Sequence, residues 1–146
     1  MPAHITLLYP FKVVDDSGAT LLDDLRDGFA GFSPFRFSLA SIRRFPAEVF
    51  YLAPEPAEPF HQLTLAIWGW HPEKPPYGGK WPDIVPHLSV AQLQDEQQLD
   101  RINDEFVRAA DGKLPIHATA TDVALMDNSS RRWRVRATFG LGRKSP

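Results

Sequence analysis

The chain of 146 residues contains no cysteine. That absence excludes disulfide staples, thiolate nucleophiles and cysteine-ligated zinc or iron–sulfur sites, and the chain needs no oxidising compartment. Long apolar runs are missing too: no stretch approaches the roughly eighteen residues of a membrane span, and the first residues lack the positive region and apolar core of a secretory leader. A soluble, cytoplasmic protein with no membrane partner is expected. Excess charge of one sign is also lacking, with a net charge of −2, so neither strong non-specific attraction to nucleic acid nor DNA-specific binding is expected from the average. The average hides a basic end. Arg131, Arg132, Arg134, Arg136, Arg143 and Lys144 fall in the last sixteen residues without one acid among them.

Proline and glycine are plentiful, 14 and 9 residues, which disfavours long uninterrupted helices and favours short elements joined by stiff turns. His4-Ile5-Thr6-Leu7-Leu8-Tyr9, closed by Pro10, has strand composition. A turn at Asp15-Asp16-Ser17-Gly18 precedes Leu21, Leu22, Leu25 and Phe29, whose spacing predicts a helix from about 19 to 30 that stops at Gly31. Phe35 to Leu39 and Val49 to Leu52 read as two strands around Pro46. Phe60, Leu63, Thr64 and Ile67 recur as i, i+3, i+4, i+7 and predict a second amphipathic helix ending near Gly69. Phe35, Phe37, Phe50, Phe60, Leu63 and Ile67 are the expected core. Residues 71–86, with five prolines and the pair Gly78-Gly79, read as a stiff aromatic loop. His87 to Ala91 is the next strand, Asp95 to Ala110 a third helix with Leu99, Ile102 and Phe106 on one face, and residues 114–126 and 133–140 closing strands around Asn128-Ser129-Ser130.

The expected order, β-α-β-β-α, loop, β-α-β-β, makes the last four elements an echo of the first four and points to an α+β fold of two half-repeats. Their approximate bounds are 1–70 and 84–146, joined by the loop at 71–86. A chemical landmark repeats with them. His4-Ile5-Thr6-Leu7 and His87-Leu88-Ser89-Val90 are each histidine, aliphatic, hydroxyl residue, aliphatic, 83 positions apart.

In a strand, alternate side chains share a face, so His4 would lie beside Thr6 and His87 beside Ser89. A groove floored by two such strands would hold two imidazoles and two hydroxyls, a set suited to a phosphodiester without a metal. Histidine, with a free pKa of about 6.5, can act as base or acid near neutral pH. The hydroxyls can donate to non-bridging phosphoryl oxygens as negative charge builds there. His61, His71 and His117 have no matching partner motif and read as structural or surface groups. There is no His-Glu-x-x-His arrangement or compact acid and histidine cluster to suggest a metal centre. Arg43 and Arg44 read either as phosphate or rim contacts or as a solvated turn. Arg132, Arg134 and Arg136 would share one strand face, as an RNA-phosphate stripe or as the solvent face of an edge strand. Tyr9, Tyr77 and Trp81 are candidates to stack a base or ribose at the groove mouth, whereas Phe11 fits core packing better.

The paired motifs resemble the two-histidine phosphoesterase superfamily, in its bacterial 2'-5' RNA ligase-like branch. The resemblance runs through Leu8-Tyr9-Pro10-Phe11 and Pro86-His87-Leu88-Ser89-Val90-Ala91, and extends to Arg44-Phe45-Pro46, Pro54-Glu55-Pro56 and Pro75-Pro76-Tyr77-Gly78-Gly79. It implies a bilobal, pseudo-twofold repeat of antiparallel sheets with flanking helices and a central cleft. Members carry a strand and a helix ahead of the first motif, which this chain, opening three residues before His4, is expected to lack.

The resemblance further implies His4 and His87 as catalytic residues, Thr6 and Ser89 as phosphate-binding residues, and no metal or other cofactor. The substrates would be RNA termini or small nucleotides bearing a 2',3'-cyclic phosphate or a 2'-5' linkage. For hydrolysis, His87 is assigned as base and His4 as acid, with the reverse assignment open. The alternative function keeps the same groove as a non-catalytic binder of RNA ends or small nucleotides.

Overall fold

The computed structural model describes residues 4–9, 11, 18–45, 49–79, 85–92, 96–127 and 131–142. The turns expected at 15–17 and 128–130, and Arg143 and Lys144, lie outside the described residues, as does Trp81. The same holds for the side chains of Arg44, Phe50, Tyr77 and Ser89. The elements in chain order are α1 (Gly18–Ala30), β1 (Phe35–Phe45), β2 (Val49–Glu55), α2 (Glu58–Trp70), a single 3-10 turn (Pro76–Gly79), β3 (Leu88–Gln92), α3 (Glu96–Ala109), β4 (Ile116–Ala120), β5 (Asp122–Asp127) and β6 (Arg134–Gly140). The fold is α+β, with one four-stranded sheet in the order β3-β2-β1-β4 and one two-stranded sheet, β5-β6.

The chain divides into two compact units, each built from separated stretches of sequence. The first comprises residues 12–36 and 119–146, together with Met1, and the second residues 2–11 and 37–118. In the first unit, α1 packs on β6. Leu21, Leu25 and Phe29 form the buried stripe of α1, four residues apart, and the Phe29 ring lies 5.7 Å from that of Phe139 on β6. The helix closes through bonds from the Gly31 and Phe32 amides to the carbonyls of Gly28 and Phe29. Beyond β6, Gly142 has φ +78, and a Cβ there would stand 3.3 Å from the Phe32 carbonyl and 3.4 Å from Pro34. Glycine is thus needed for both conformation and space.

In the second unit, β2 lies between β1 and β3, antiparallel to both. Its neighbours Tyr51 and Leu52 point to opposite faces yet are only 5% and 3% exposed, so the strand is covered on both sides. Phe60 of α2 meets Phe37 of β1 edge to face at 4.9 Å, while α3 packs against β2 and β3 and buries Leu99. Helix α3 ends at Ala109, and the turn after it, closed by the Lys113 amide on the Ala110 carbonyl, holds Gly112 at φ +76, a left-handed conformation that glycine adopts at least cost.

Two expectations are corrected. Residues 4–9 have strand composition but belong to no ladder; His4–Thr6 are irregular and Leu7–Tyr9 form a bend. The Leu7 carbonyl is taken by a helix side chain, the Thr64 hydroxyl, and Pro10 has no amide to donate to a ladder. The stretch expected as one strand over 114–126 breaks at Thr121. The Thr121 carbonyl accepts from the Leu141 amide, and the chain on either side joins different sheets.

Candidate functional site

Both histidine motifs fall in the second unit. His87 stands immediately before β3, half-buried, where Pro86 precedes the apolar strand. Its Nδ1 lies 2.7 Å from the Val85 carbonyl oxygen. A carbonyl can only accept, so this hydrogen bond requires the hydrogen on Nδ1, which leaves the lone pair of the neutral imidazole on Nε2. The ring is further held by Tyr51 of β2, whose ring centroid is 5.5 Å away at an interplanar angle of 64°. Such edge contacts favour one ring orientation over others.

The sheet register extends this arrangement. Tyr51 is the cross-strand partner of Ser89 on β3 and of Arg43 on β1, so Arg43, Tyr51 and Ser89 occupy one row across three strands. Two strand spacings, roughly 10 Å, separate the ends of that row. The exposed Arg43 is therefore a cation two strands from the Ser89 position. A register shift between Phe50 and Tyr51 leaves Val90 as an extra residue in β3, a bulge of the kind that re-aims neighbouring side chains.

The His4 motif is supported differently. His4 is exposed, Ile5, Thr6, Leu7 and Leu8 are half-buried, and Tyr9 is exposed. Thr64, 2% exposed in the middle of α2, donates its hydroxyl to the Leu7 carbonyl at 2.7 Å. Four residues further on, Phe11 packs edge to face on the buried His71 ring, just past the end of α2, at 5.2 Å and 77°. Residues 4–9 and 11 form an arm tied at Leu7 to α2 and at Phe11 to His71, the residue that follows that helix.

Sequence reasoning missed Thr64 and Tyr51. For Thr64 the signal was available: a hydroxyl within the buried stripe of Phe60, Leu63 and Ile67 must find an acceptor. Tyr51 left no comparable trace, because its role depends on which strand lies beside β2. Of the other histidines, His61 is half-buried on α2 and His117 exposed on β4, while Nδ1 of His71 lies 3.9 Å from the Glu73 carboxylate. Arg132, in a bend, and Arg134, at the start of β6, are exposed and belong to the first unit. Among the described residues, no group of three or more histidines and acids is placed to hold a metal ion. No described helix is long and apolar enough to cross a membrane.

Residues 1–132 match the family model of the 2'-5' RNA ligase superfamily. A Bacillus licheniformis protein is 30% identical over 146 residues, an alignment covering 97% of this chain and 82% of that relative. One from Bacillus pumilus is 28% identical over 149 residues, covering 97% and 81%. Both relatives carry the name "Putative phosphoesterase". With nine-tenths of its length matched and both histidine motifs inside the match, the chain belongs to the 2'-5' RNA ligase superfamily, the two-histidine phosphoesterase group its motifs resemble.

Proposed function

We propose that the chain is a metal-independent phosphodiesterase that opens 2',3'-cyclic phosphates at RNA ends or on small nucleotides, or makes 2'-5' linkages by the same displacement with a 5'-hydroxyl in place of water and breaks them by its reverse. The observation that carries this reading is the placing of both histidine motifs in one compact unit, in a chain whose relatives are named phosphoesterases. In the hydrolytic direction, water attacks phosphorus in line with the 3'-oxygen and gives its proton to His87. The bond from phosphorus to the 3'-oxygen breaks, and that oxygen takes a proton from His4, leaving a 2'-phosphate and a 3'-hydroxyl. The Nδ1 contact to Val85 supports His87 as base, since it leaves the accepting lone pair on Nε2. Thr6 and Ser89 donate to the non-bridging oxygens, and Arg43, in the same sheet row as Ser89, offsets their charge. Tyr9 and the residues at 77 and 81 complete the rim in this reading.

The test is turnover of a 2',3'-cyclic nucleotide by purified His4→Ala and His87→Ala proteins. Each is expected to lose roughly 10²- to 10⁴-fold in kcat/KM with its thermal transition unchanged. An unaltered rate in either would remove that residue from the reaction. The parent protein should show kcat/KM falling on both the acid and the alkaline side, because one imidazole must start neutral and the other protonated. Chelator should leave its rate unchanged. Saturable binding of these compounds with no product would favour the binding-only alternative.

A further inference from the structure

We infer that the β5–β6 hairpin is a binding surface for single-stranded RNA, formed by the first unit's own residues and independent of turnover at the histidines. Six consecutive residues, Arg131 to Arg136, are all exposed. An edge strand that merely faces water would put polar groups outside and apolar groups inside. Here Trp133 remains 39% exposed and Val135 55% exposed, each set between arginines. Further along β6 the pattern changes, and Phe139 is buried against α1. The open character is thus confined to the end of the strand that carries the charge.

The charge there is one-sided. The hairpin strands hold two acids: Asp122 pairs in register with Gly140 at the far end, and Asp127 lies 3.6 Å from Arg136. No acid follows Asp127 in the sequence. Met126 pairs with Val135 and Leu125 with Ala137, which makes Arg136 the extra residue of a bulge and holds it beside Asp127. Arg131, Arg132 and Arg134 are exposed cations, Arg134 standing opposite Asp127 in the register, and the exposed Trp133 lies between Arg132 and Arg134 in the chain. An aromatic ring for a base flanked by guanidinium groups for its phosphates is how proteins hold single strands, whereas a stacked duplex offers no free base face.

The experiment uses the full chain and a fluorescein-labelled oligouridylate of about ten residues ending in a 3'-hydroxyl, a length within single-strand site sizes. Because this ligand carries no cyclic phosphate and binding is read by anisotropy, failure of the acid–base reading would leave the result unaffected. Saturable binding is expected, with affinity falling between about 50 and 200 mM salt. Arg132→Gln combined with Arg134→Gln should weaken binding and reduce the salt slope by about 1.4, the value for two lost phosphate contacts on a single strand. Trp133→Ala should weaken binding roughly 5- to 150-fold with the slope unchanged, and Trp133→Phe should retain most of it. If Trp133→Ala does not fold, the phenylalanine variant and the double glutamine variant carry the test. The proposal is overturned by a parent protein that shows no saturable binding, by arginine variants that bind as the parent does, or by a duplex RNA that binds as tightly as the single strand.

Discussion

The two histidine motifs have the same residue pattern and opposite means of support. Ser89 and its neighbours are in the ladder of β3, paired to β2, with His87 at the strand's entrance against Tyr51. The residues around His4 have no ladder; the Leu7 carbonyl accepts from a hydroxyl of α2, and Phe11 meets the His71 ring just beyond that helix. A strand shares its backbone bonds among several residues, so loss of one contact is partly absorbed. The difference shows that a tetrapeptide pattern specifies chemistry without specifying local structure; the neighbouring elements determine that.

The largest effect that bears on this comparison is the loss of turnover on removing either imidazole. If the motifs are chemical equals, His4→Ala and His87→Ala should reduce kcat/KM to similar extents, within about 10²- to 10⁴-fold. A large loss at His87 with none at His4 would mean the arm takes no part. Next in size is Thr64→Val, which keeps the shape and leaves the Leu7 carbonyl without its buried donor. It should cost about 1–3 kcal/mol in denaturant unfolding and speed amide exchange in the arm while β3 stays protected. Thr64→Ser should restore both. Equal loss of protection in β3 would show that the two motifs share one support. The smallest effect is expected from Phe11→Leu, which keeps apolar bulk but removes the edge contact with His71, at about 0.5–1.5 kcal/mol. Differential scanning would read it as a small drop in Tm, and no change would leave Thr64 as the arm's principal anchor.

Much of the fold was legible from spacing. The stripe at Leu21, Leu25 and Phe29, that at Phe60, Leu63 and Ile67, and Leu99, Ile102 and Phe106 each mark the helix found there. The β1–β2 pairing was marked by two β-rich runs around Pro46. What could not be read was partnership. Strand composition at 4–9 describes how those residues would behave in a sheet, not whether a strand lies beside them. The break at Thr121 has no glycine or proline to mark it, and its cause is a bond from Leu141, twenty residues later. At the site, the histidine pattern was visible because it repeats, whereas Thr64 and Tyr51 act through elements distant in sequence.

The make-up of the first unit also sets an order of events during synthesis. Helix α1 is made before the other described elements, yet Phe139, which its Phe29 meets, lies on β6, which follows all of them in the chain. Until that strand leaves the ribosome, the apolar stripe of α1 has no native cover from it, while most of the second unit's chain has already been made. The basic hairpin therefore emerges together with the strand that completes the first unit, so an RNA-binding surface there would form only when this unit closes.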